Sequence, residues 1–150
     1  MVKSDLAVEM DPEAEIEASV MEEVKLLMGE IAGTVEEATR APDQRHSFSM
    51  YLRAGRLKVA DRYPFLDPFA AEFEYLAGEI VFVGKAAPPD FIAGLTEALA
   101  HAVEGVAQSS AQPRGLRARI ASDLGRLLER KREEFERHGL DLSIERIINA

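Results

Sequence analysis

The chain has 150 residues, 47% of them hydrophobic, which is enough to bury one real core. It has no cysteine, so disulfides, thiolate nucleophiles, zinc ribbons and iron–sulfur clusters are excluded. A net charge of −9 disfavours nucleic acid, whose phosphates are bound by Lys and Arg displacing counterions.

That charge is unevenly spread. Residues 1–40 hold 11 acidic and 3 basic side chains, whereas residues 113–138 hold 8 basic and 5 acidic. Separation of this kind predicts that the two ends meet each other or that one of them meets a partner. No run of about 18 apolar residues occurs, and the N-terminus lacks the basic start and apolar middle of an export signal. The expectation is a soluble, cytoplasmic protein without membrane contact.

Residues 1–11 are polar and acidic without periodicity and read as a flexible arm. From Pro12, the side chains Ile16, Val20, Val24, Leu27, Ile31 and Val35 recur every three or four positions, one stripe of a helix. Gly29 and Gly33 weaken its second half, and Thr34 with Glu37 has capping-box spacing, so a kink near Gly33 is expected. Ala41, Pro42 and Asp43 end it.

The rhythm then changes to two. Phe48, Met50 and Leu52 alternate with Ser47, Ser49, Tyr51 and Arg53, Ala54 and Gly55 read as a turn, and 56–61 alternates again. Residues 73–82 repeat the pattern at an offset of 23, with Ala77 and Gly78 in register with the first pair. The prediction is a four-stranded antiparallel meander of two hairpins. Its wet face would carry Ser47, Ser49, Tyr51, Arg53, Lys58, Arg62, Glu72 and Glu74.

Pro88, Pro89 and Asp90 open a second helix with the stripe Phe91, Ile92, Leu95, Leu99, Val103 and Val106. Residues 108–113 form a polar linker. A third helix is expected over 114–138, with Leu116, Ile120, Leu124, Leu127, Leu128 and Phe135 inward and Gly139 as its stop. The aliphatic tail 140–148 reads as a short helix capped by Ser143. The predicted fold is thus α+β: an N-terminal helix, the four-stranded meander, two C-terminal helices and an apolar tail. Residues 12–112 would form the core domain, with 113–150 part of it or a dimerisation element.

Three features invite a function. The loop from Asp61 to Phe69 sets Tyr63, Phe65, Leu66 and Phe69 beside Asp61, Arg62 and Asp67, either folded over the sheet or exposed as a binding patch. On the second helix Asp90, Glu97, His101 and Glu104 fall within about 60° of one another, a spacing that suits a divalent metal and equally a charged outer face. On the third, Arg119, Arg126, Arg130 and Arg137 point within about 40° of a common direction. Glu23, Glu30 and Glu37 repeat at sevens on the first helix, with Glu15 and Glu22 alongside, and offer that ribbon a counterpart within one chain or across a dimer.

His46 and His138 have no visible catalytic partner, and no nucleophile triad, phosphate loop or dinucleotide fingerprint occurs. No motif is specific enough to name a family. The sequence therefore favours recognition over catalysis. The expectation is a non-catalytic acidic interaction module (an adaptor, accessory subunit or chaperone-like protein, expected to be a homodimer) that holds another protein and needs no cofactor. The alternative is a small metal- or ligand-binding protein using the acidic helix face or an aromatic pocket.

Overall fold

A computed structural model describes residues 11–40 and 47–150. Of the arm read over 1–11, residues 1–10 lie outside the described residues, as do the terminator at 41–43 and His46, while Asp11 belongs to the first helix as its cap, its carboxylate accepting from the Glu13 N–H at 3.0 Å. The architecture is predominantly helical: α1 (Pro12–Ala38), α2 (Phe48–Val59), β1 (Phe73–Leu76), β2 (Glu79–Phe82), α3 (Pro88–Ser109), α4 (Pro113–Arg130), α5 (Arg132–Arg137) and α6 (Leu140–Ile148). Two 3₁₀ turns, Pro64–Leu66 and Pro68–Ala70, join α2 to the hairpin.

The four-stranded meander is not what forms. Only one antiparallel pair exists among the described residues, with Phe73 opposite Phe82 and Leu76 opposite Glu79. Residues 48–59 are a helix that comes between α1 and the hairpin in the chain, so the helices do not simply bracket a sheet. The same residues carry a second rhythm: Phe48, Leu52, Gly55, Arg56 and Val59 lie on one helical face and are buried, while Met50 is left 55% exposed. Ala54 and Gly55 are mid-helix rather than a turn. Bare at Cα, Gly55 lets α2 close on the Ala98 carbonyl of α3, where a Cβ would collide. At 77–78 the same dipeptide does turn, with φ of 50° at Ala77 and 88° at Gly78, the signature of a type I′ hairpin.

The helix α3 is the hub, contacting α1, α2, α4 and α6. Buried positions cover most of its circumference, including Phe91, Thr96, Ala98, Leu99, Ala102 and Val106, and leave one exposed strip along Asp90, Ala93 and Glu104. The helix α1 does not kink at Gly33. It is continuous, and Thr34 donates its hydroxyl to the Glu30 carbonyl at 2.8 Å instead of capping a new start. Gly29 and Gly33 form a seat for the hairpin turn, whose Gly78 backbone rests directly on them.

The predicted third helix is two helices, α4 and α5, broken at Lys131 (φ −134°, ψ 33°). Gly139, at φ 71°, turns the chain into α6. Ser143 is not its cap: it lies within α6, buried, and accepts a hydrogen bond from the Thr96 hydroxyl at 2.8 Å. Both α4 and α6 pack on α3, so residues 113–148 share the core with the rest of the chain.

Candidate functional site

The loop 61–69 folds largely inward. Phe65 is 7% exposed, Leu66 is fully buried and Tyr63 packs against the core edge. Arg56 holds the loop there, donating from Nε to the Leu66 carbonyl and from Nη2 to the Phe73 carbonyl, each at 2.9 Å. Its guanidinium also lies 4.8 Å from the centroid of the Phe73 ring. Burial lowers the Arg56 pKa from the ordinary arginine value, and nearby Glu74 works against that shift. Phe69 alone of the four apolar side chains faces water, 79% exposed beneath the Arg53 guanidinium. Between sheet and helix, Phe65, Phe73, Phe82 and Phe91 pack ring on ring with centroids 5.1–6.2 Å apart.

The arginines of the ribbon part company. Arg137 reaches Glu23 at 3.0 Å, Arg119 caps the Ala38 carbonyl of α1 at 3.4 Å, and Arg126 turns to Ser122 and Asp123 of its own helix. Arg130 is exposed beside Glu30 and Glu37 in a shallow cleft between α1 and α4. Of the acidic strip of α1, Glu30 is also met from the C-terminal segment, by Lys131 at 2.8 Å, whereas Glu22 and Glu37 pair three residues along the chain with Lys25 and Arg40. Lys131 is the residue at the helix break, a cation the ribbon pattern did not include.

The proposed metal face is not gathered. Glu97 receives two hydrogen bonds from Arg146 of α6, at 3.0 and 3.1 Å. Among the described residues, no group of three or more His, Asp or Glu side chains is placed to hold a metal ion.

What the sequence did not single out is a groove between the first half of α1 and the start of α3. Its volume is about 650 Å³, within the range of ligand clefts. Ile16, Val20 and Val24 line one wall, Pro88, Pro89 and Ile92 the other. Glu13 and Glu17 stand at α1, and Arg137 with His138 closes the far end. The stripe of α1 changes along this groove: Val24 is buried, Val20 half-buried, and Ile16 is 64% exposed. The side chain of His138 is only 9% exposed and its Nε2 lies 3.4 Å from Glu23 Oε1 without hydrogen-bond geometry, so a buried polar atom is left unsatisfied there. Other exposed aliphatics, Leu76, Val81 and Val83, sit on the hairpin. Among the described residues no helix is long and apolar enough to cross a membrane.

Compared with known proteins, the chain matches no family model, no curated protein and no solved structure.

Proposed function

We propose that this protein is a non-catalytic recognition module that holds a helix of another protein in the groove between α1 and α3. The observation that carries the reading is the stripe of α1, which outruns the body that buries it. An aliphatic stripe is favourable only when covered, and Ile16 with Val20 is covered on one side alone, by Pro88, Pro89 and Ile92. The loop 61–69 and the arginine ribbon contribute less to this reading than the sequence suggested, because Phe65, Leu66, Arg119 and Arg137 are engaged within the chain. Adaptor, accessory subunit and chaperone-like roles all need such a seat.

A photo-crosslinking residue placed at Ile16 in the producing cell tests this, with exposed Glu133 as the control position. The reading expects one discrete protein adduct from position 16, none from 133, and loss of the adduct when Val20→Asp is added. Equal labelling from both positions, or an adduct indifferent to Val20→Asp, would overturn it.

A further inference from the structure

We infer that the occupant of this groove is a basic amphipathic helix, with its aliphatic stripe on Ile16, Val20 and Ile92 and its lysines or arginines on Glu13 and Glu17. The inference rests on the reading of the groove as a partner seat and adds the chemistry of what sits there.

Charge supplies the first argument. Arg137, the cation at the far end, is already paired with Glu23 at 3.0 Å, and Lys25 on the neighbouring flank of α1 is paired with Glu22. Glu13 and Glu17 have no ion-pair partner among the described residues. Among the described residues the groove therefore presents two carboxylates without an ion-pair partner beside an apolar strip, and its arginine, Arg137, is already engaged. A second copy of the chain, docked through the same face, would bring these carboxylates no unpaired arginine, because Arg137 of each copy is already held by Glu23.

The backbone supplies the second. Both walls are helical, so beyond their first turns the amides and carbonyls are bonded within α1 and α3; in those first turns Pro12, Pro88 and Pro89 have no N–H to offer and the Glu13 N–H is taken by the Asp11 carboxylate. An extended segment would find no strand edge to pair with. A helix satisfies its own backbone and asks only for side-chain contact, which is what this groove offers. From Pro12 to Val24 the wall runs about 18 Å at 1.5 Å per residue, the length of three to four turns.

The test uses three labelled helical peptides with the same leucine stripe and with Lys, Gln or Glu at the flanking positions. Each is titrated by fluorescence anisotropy into the full chain, its Glu13→Gln/Glu17→Gln variant and its Val20→Asp variant, at low and physiological salt, with circular dichroism as the folding check. The Lys peptide should bind about tenfold tighter than the Gln peptide at low salt, as two partly exposed ion pairs allow. That advantage should vanish in Glu13→Gln/Glu17→Gln, where exposed positions spare the fold, and all binding should vanish in Val20→Asp. If Lys and Gln peptides bind equally and both are lost in Val20→Asp, the charge inference is wrong while the groove reading stands. Binding that ignores Val20→Asp overturns both, and no binding of the Lys peptide to the parent chain overturns the basic helix.

Discussion

Gly29 of α1 and Gly78 of the hairpin turn meet backbone to backbone: a Cβ on Gly29 would stand 2.5 Å from the Gly78 carbonyl oxygen. This contact fixes the only hairpin among the described residues against the longest helix. Gly29→Ala should therefore destabilise the protein by about 1–3 kcal/mol through overpacking, although alanine is the better helix former by about 1 kcal/mol. Gly125 of α4 has nothing within 4 Å of where a Cβ would be, so Gly125→Ala should stabilise by about 0.5–1 kcal/mol. Urea denaturation of the two variants, run side by side, gives the opposite signs directly.

Arg56 is the second structural commitment. It is 7% exposed and bonded to two main-chain carbonyls, so removing it leaves both acceptors unsatisfied in the interior. Arg56→Leu should cost about 2–4 kcal/mol. Arg56→Lys should restore only part of that, because one ammonium does not reproduce the two directions of the guanidinium fork. Thermal unfolding of the pair ranks them, and a lysine variant as stable as the parent would contradict the bridging role.

Tyr75 predicts how the protein behaves in alkali. Its hydroxyl donates to Glu36 at 2.7 Å, and burial first, then the hydrogen bond and charge of Glu36, push its pKa well above the ordinary tyrosine value. A raised pKa means that the folded state holds this proton more tightly. The resulting stability is fully present below pH of about 10 and is lost as pH climbs towards the raised value. Tyr75→Phe should cost about 1 kcal/mol near neutrality and should flatten the decline above pH of about 10. Equal alkaline slopes for parent and variant would show that Tyr75 does not titrate in this way.

Some of this was legible in the sequence. The stripes of α1 and α3 and the turn at Ala77 and Gly78 could be read because one rhythm dominated each. Over 48–59 two rhythms overlap: Phe48, Met50 and Leu52 spell a strand, while Phe48, Leu52, Gly55 and Val59 spell a helix. Arg56 hid the helical one, since a pattern of apolar positions counts a buried arginine as solvent-facing. Gly55 misled further, because a helix–helix contact and a turn both call for a residue without a Cβ. The facing of Glu23 and Glu30 towards the basic C-terminal segment followed from their spacing, but Lys131 entered only through a helix break that no Pro or Gly announced. The groove had no such sign: the stripe from Ile16 to Val35 runs about 29 Å at 1.5 Å per residue, shorter than α3 at about 33 Å, so its length did not announce that the first turns of α1 would overhang.

The account depends most on that overhang as a seat for a basic helix. The most direct measurement is an NMR titration of the isotopically labelled chain with the Lys peptide, following backbone amides residue by residue. The shifts predicted to move together are those of Ile16, Val20, Ile92 and His138, with Leu116 and Gly125 of α4 unchanged. Shifts concentrated on the hairpin or on α4, with Ile16 and Val20 still, would contradict it.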